Sequence, residues 1–192
     1  MTCIAGIVKN EKVYMVADSV ASNGYSNSVC RNPKIFKKGG YLIGYTSSFR
    51  MGQIIEHKIK LPKPKSGKIT MSFMCNDFIE SIKKGFKDGG YMMKGESGDD
   101  MGGCFMVGYK NRLFVIYSDF QVYEPDHPYM AVGSGSDVAM GCLYMINESI
   151  LPNTGKINED LIFDELYSVI GCCSRFVSTV QLPAVIMSTK NK

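Results

Sequence analysis

Met1-Thr2-Cys3-Ile4-Ala5-Gly6-Ile7-Val8 sets a hydroxyl residue directly behind the initiator methionine and runs it into an apolar segment. Residues 3–8 read as a buried strand, so the chain commits its first element to the core. Removal of Met1 is expected to leave Thr2 as the first residue, with no extension ahead of it. That residue then carries a hydroxyl and a free α-amine, a nucleophile and a general base together.

The strand turns at Asn10-Glu11-Lys12 and returns over 13–17, closing at Asp18-Ser19. Further strands are predicted at 34–37, 41–45, 103–109, 112–118, 121–123, 129–132 and 183–187. Thr46-Ser47-Ser48 reads as a helix start, followed by Met51, Ile54, Ile55 and Lys58 at helical spacing. Ser72 to Phe86 is an amphipathic helix. A turn at 133–137 opens a helix with apolar positions from Val138 to Ile146, and Glu159 to about Cys173 forms another. Residues 19–32, 60–70, 88–102 and 152–158 read as polar loops. Strands, two helices, strands, two helices and a strand make an α+β order, with antiparallel sheets covered by helices. No repeat or linker divides the chain, so one domain over 1–192 is expected.

Composition narrows the function classes. Apolar residues make up 45% and charged residues 21%, as in a soluble globular protein. The net charge of +4 is spread over scattered lysines, which argues against nucleic acid. No apolar run reaches the ~18 residues of a membrane span, and the start lacks the basic region of a signal peptide. Seven cysteines without framework spacing read as reduced thiols of a cytoplasmic protein, with Cys172-Cys173 buried at a helix end. With two histidines and no CxxC, a zinc site or a histidine triad has little to draw on. Asp99-Asp100 reads as polar loop, and neither a metal nor another cofactor is expected.

Asp18 follows Thr2 by sixteen positions and Lys34 follows it by thirty-two, so a hairpin and a neighbouring strand can bring the three together. A threonine hydroxyl is a poor nucleophile. A nearby lysine ammonium favours the alkoxide and lowers the pKa of an adjacent amine, and an aspartate holds that lysine charged and in place. Each residue alone reads blandly, as a second residue, a turn residue and a strand-edge lysine. The shared spacing points to catalysis.

Thr2, the hairpin end Ala17-Asp18-Ser19, the motif Lys34-Ile35-Phe36-Lys37 and the helix-opening Gly133-Ser134-Gly135 together resemble the proteasome β-subunits and their HslV-type relatives, which are N-terminal nucleophile hydrolases. The resemblance implies a four-layer αββα sandwich of two antiparallel sheets flanked by helices. It implies a threonine endopeptidase in which Thr2 attacks, Lys34 tunes it, Asp18 orients Lys34 and Ser134 relays protons near the amine. The Ser47 N–H would be the oxyanion donor, Tyr45 would line the specificity pocket, and the backbone at Ala21 and Ser22 would pair with an extended substrate. A homo-oligomeric ring acting on unfolded proteins or peptides is implied. An ATP-dependent unfoldase or cap would be a separate protein, since no G-x-x-x-x-G-K-[ST] occurs here.

Two departures stand out. The family usually has glycine where Ser47 stands, and an acid after the last long helix where this chain reads Gly171-Cys172-Cys173-Ser174-Arg175-Phe176-Val177-Ser178. Ser178 is the candidate to cover that role. A non-catalytic ring subunit of the same fold and an amidase acting on small amides remain alternatives.

Overall fold

Along β1 (Cys3–Lys9) the side chains alternate between two separate cores, which is why the segment is apolar almost throughout. The computed structural model describes residues 2–23, 25–64, 67–95, 98–151 and 155–189. Met1, residues 190–192 and parts of the loops expected at 19–32, 60–70, 88–102 and 152–158 lie outside the described residues.

β1 returns as β2 (Lys12–Asp18) through Asn10 and Glu11, whose φ angles of 49° and 56° suit a two-residue hairpin turn. A short hairpin, β3 (Val20–Ser22) and β4 (Asn27–Val29), precedes β5 (Ile35–Lys38) and β6 (Tyr41–Tyr45). Helix α1 (Phe49–Gln53), capped by Ser48, continues as a π-turn over Ile54–Lys58. Helix α2 (Met71–Phe73) is capped by Thr70, whose Oγ1 accepts from Phe73 N at 3.1 Å, and passes through a π-turn into α3 (Ile79–Asp88). A second small hairpin follows, β7 (Met93–Gly95) and β8 (Gly98–Asp100). Next come β9 (Phe105–Tyr109), β10 (Arg112–Ile116), β11 (Val122–Tyr123) and β12 (Tyr129–Gly133). Helix α4 (Ser136–Met145), prolonged by a π-turn, and α5 (Glu159–Phe176) lead to the final strand, β13 (Ala184–Ser188).

Apart from the β3–β4 and β7–β8 pairs, the strands form two antiparallel sheets, in the orders β12-β1-β2-β13 and β11-β10-β9-β6-β5. Their facing sides interdigitate through Ile4, Val13, Met15, Leu42, Met106 and Val115. The opposite side of the first sheet, with Ala5, Ile7, Tyr14 and Val16, packs under Leu143 of α4 and Leu166 and Ile170 of α5. The opposite side of the second sheet, with Tyr41, Ile43, Phe105 and Phe114, packs under Met51, Phe78, Ile82 and Phe86. The layers run helix, sheet, sheet, helix, so the α+β order and the four-layer αββα sandwich are both observed.

Two loop expectations are corrected. Residues 19–32 and 88–102 contain the hairpins β3–β4 and β7–β8. Their strands are polar and largely exposed, so no hydrophobic alternation announces them. Asn23 closes the first by accepting on Oδ1 from Tyr25 N at 3.0 Å and Ser26 N at 2.8 Å.

Candidate active site

The register of β1 against β12 sets Cys3 opposite Gly133, so Thr2 meets the start of the turn before α4. Thr2 is buried. Gly133 has φ of 97°, and a Cβ there would lie 2.1 Å from Thr2 O, so glycine is required on both counts. Ser134 follows with Oγ 3.3 Å from Thr2 N, from which it accepts, and 3.3 Å from Thr2 O. The same oxygen lies 3.0 Å from Thr179 Oγ1. The hydroxyl that meets Ser134 therefore belongs to Thr179. Ser178, the residue expected to stand in for the missing acid, is exposed.

Register also explains Asp18. Ile4 pairs with Ala17, which puts the Asp18 side chain beside Cys3. Its Oδ1 accepts from Cys3 N at 2.9 Å, and its Oδ2 accepts from Lys34 Nζ at 2.8 Å and Val20 N at 3.2 Å. One carboxylate thus bridges the Lys34 ammonium and the amide that follows Thr2. Both side chains of the ion pair are sealed from solvent. Lys34 enters β5 with its carbonyl accepting from Tyr45 N at 3.0 Å, which ties its backbone to β6.

Ser47 closes a three-residue turn. Its φ is 66°, and Ser48 N donates to Thr46 O at 2.7 Å across it. Left-handed geometry costs a non-glycine residue about 1–2 kcal/mol. Among the described residues the Ser47 N–H has no hydrogen-bond partner, whereas that of Ser48 is engaged. The Ser47 side chain fits because residue 103 is glycine: a Cβ there would meet Ser47 Cβ at 2.8 Å and Oγ at 2.9 Å.

Thr2, Thr46, Ser47, Cys104, Tyr117 and Ser134 are among the residues lining a cleft of about 590 Å³. Thr46 Oγ1 donates to Cys104 O at 2.8 Å and lies 3.3 Å from Cys104 Sγ. Burial pushes the Cys104 thiol up, with the Thr46 contact acting the other way.

Tyr45 does not enter the cleft. It packs against Phe36 and Phe49, with ring centroids 6.4 Å and 6.1 Å away, on the helix-covered side of β6. Alternation along β6 turns position 45 away from the facing sheet and brings Thr46 to the cleft. Ala21 and Ser22 lie on β3, outside the lining of the cleft, paired with Ser28 and Asn27. Among the described residues no group of three or more His, Cys, Asp or Glu side chains is placed to hold a metal, and no helix is long and apolar enough to cross a membrane.

No family model matches the chain, and no curated protein matches it. Solved structures do. BPH of Thiobacillus denitrificans, solved alone and in complex with epoxomicin, superposes in its uncomplexed form with a TM-score of 0.77 at 15% identity, covering 97% of each chain. HslV from Trypanosoma brucei aligns with a TM-score of 0.64 at 11% identity, over 97% of this chain and 98% of its own. The Anbu protein of Yersinia bercovieri gives 0.66 at 16%, over 98% and 81%.

The chain has the N-terminal nucleophile hydrolase fold.

In the N-terminal nucleophile hydrolase fold, as built here, Thr2 sits where two sheets and the mouth of α4 meet. Thr46, Gly103, Cys104, Tyr117 and Thr179 were not among the residues anticipated there. Strand alternation from Gly44 through Thr46 signals the first. No local pattern signals Thr179, which reaches Ser134 across 45 residues of sequence.

Proposed function

We propose that the chain is a threonine-type peptidase in which removal of Met1 frees the Thr2 amine. The observation that carries this reading is the Asp18 carboxylate, bonded at once to Cys3 N and Lys34 Nζ immediately beside Thr2. Thr2 Oγ attacks the scissile carbonyl and passes its proton to the Thr2 amine, directly or through a water. The Lys34 ammonium disfavours a second positive charge nearby and favours the developing alkoxide. The tetrahedral oxyanion takes a hydrogen bond from Ser47 N–H. The amine returns the proton to the departing peptide nitrogen, with Ser134 and Thr179 holding it in register. Water then hydrolyses the ester and restores Thr2.

An extended peptide would lie along β3 near Ala21 and Ser22, on the edge opposite β4. The similarity to a protein solved with epoxomicin supports a reactive residue at Thr2. The reading includes one domain over 1–192, a homo-oligomeric ring, a cytoplasmic setting, and a separate ATP-dependent unfoldase or cap that supplies unfolded chains.

A second reading, a non-catalytic ring subunit, is favoured by the Ser47 side chain beside the oxyanion donor and by a relay that ends on the Thr179 hydroxyl. Hydrolysis assays separate the readings. The peptidase reading expects cleavage of unfolded casein that is abolished in Thr2→Ala. Cleavage of small amides alone would indicate an amidase, and no hydrolysis of either would indicate a structural subunit.

A further inference from the structure

Cys3 and Cys173 lie with their sulfurs 3.8 Å apart, both at 0% exposure, one beside Thr2 on β1 and the other in the last turn of α5. Gly135 leaves room for the Cys3 side chain: a Cβ there would lie 2.8 Å from Cys3 Cβ and 2.9 Å from Cys3 Sγ. Cys173 Sγ also lies 3.6 Å from Gly135 O. The neighbouring thiols, Cys142 and Cys172, are only half-buried.

We infer that Cys3 and Cys173 form a reversible disulfide on oxidation by a peroxide, and that this cross-link switches off Thr2. The effect on Thr2 rests on the peptidase reading above, whereas the cross-link does not. The two thiols are unequal. Cys3 donates its hydrogen bond to Cys173 and is buried, which holds its thiol well above the usual range. Cys173 accepts that bond, which lowers it, so of the two thiols it gives up its proton the more readily. Cys173 gives up its proton, its sulfur attacks one peroxide oxygen and becomes the sulfenic acid, and the departing hydroxide takes that proton and leaves as water. The Cys3 sulfur then attacks the sulfenic sulfur. An S–S bond forms, the hydroxyl leaves, and the Cys3 proton completes a second water. Two electrons pass from the thiol pair to the peroxide.

The coupling to Thr2 is mechanical. Closing 3.8 Å to a bond of ~2.05 Å moves the two side chains toward each other and ties β1 covalently to the end of α5. Cys3 N is fixed to Asp18, and Val177 N donates to Cys173 O at 2.9 Å, so the turn bearing Thr179 moves with Cys173. Thr179 and Thr2 then lose their shared register on Ser134.

The test is hydrogen peroxide treatment of the full chain, read by intact mass and by non-reducing peptide mapping. The expected result is loss of two hydrogens, a Cys3–Cys173 cross-linked peptide, retention of it in Cys172→Ala and its absence in Cys173→Ala. The rate of Thr2 modification by a peptide epoxyketone should fall roughly 100-fold, as a displacement of about 1 Å does to a positioned nucleophile, and recover with dithiothreitol. Persistence of both thiols under peroxide, or pairing of Cys142 with Cys172 alone, would overturn the cross-link. A cross-linked chain that reacts at the reduced rate would overturn the switch. If untreated protein never reacts at Thr2, the peptidase reading fails, and the mass and mapping results still decide the disulfide.

Discussion

Asp18 Oδ2 lies 2.8 Å from Lys34 Nζ, and neither side chain reaches solvent. Such a pair stabilises little relative to apolar groups, but removing one partner takes away the other's buried counter-charge. Lys34→Ala or Asp18→Ala should each cost about 3–5 kcal/mol. The double variant should cost much less than the two losses added, because the partners act as a unit. Urea unfolding of the three variants measures this.

Ser47 holds φ of 66° with a side chain wedged against Gly103. Ser47→Gly keeps the backbone N–H and removes the left-handed penalty, so stability should rise by about 1 kcal/mol. Thermal unfolding reads the gain, and the rate of epoxyketone addition should not fall. Gly103→Ala should do the opposite on both counts.

The hydrogen-bond chain from Thr2 N through Ser134 Oγ reaches the Thr179 hydroxyl, 3.0 Å from Ser134 Oγ. Thr179→Val removes one neutral hydrogen bond, worth about 1 kcal/mol, and should lower kcat about fivefold with little change in KM. Thr179→Asp places a negative charge near the amine and favours its protonated form. The acidic limb of the pH–rate profile should then move to higher pH, a shift that a merely structural role would not produce.

Burial pushes the Tyr45 hydroxyl up to about 12 from its ordinary 10.0. The folded state keeps a proton that the unfolded chain releases. This contribution is therefore complete below pH 10 and is lost as pH rises toward 12. Tyr14 acts in the same direction for the same reason. Alkaline unfolding of Tyr45→Phe should be less steep across that window than that of the parent chain.

Much of this fold was legible because the strands buried between layers are apolar nearly throughout and the helices carry one apolar face. The meeting of Asp18 with Cys3 and Lys34 was legible because the β1–β2 hairpin ends at Asp18 and β5, which begins just after Lys34, lies in the facing sheet. The residue at the cleft was missed by one position: Tyr45 looked like a pocket residue, but alternation along β6 sends it under α1 and brings Thr46 forward. Thr179 was hidden because its contact with Ser134 depends on how α5 docks on the first sheet. The β3–β4 and β7–β8 hairpins were hidden because exposed strands need no apolar period.

The central claim is that Thr2, once freed of Met1, is a nucleophile with its own amine as base. Intact-protein mass after incubation with a peptide epoxyketone tests it most directly, since the probe needs a free α-amine and a β-hydroxyl on one residue. The expected result is a species lacking Met1 that carries a single adduct, absent in Thr2→Ala. A chain lacking Met1 that acquires no adduct would contradict it.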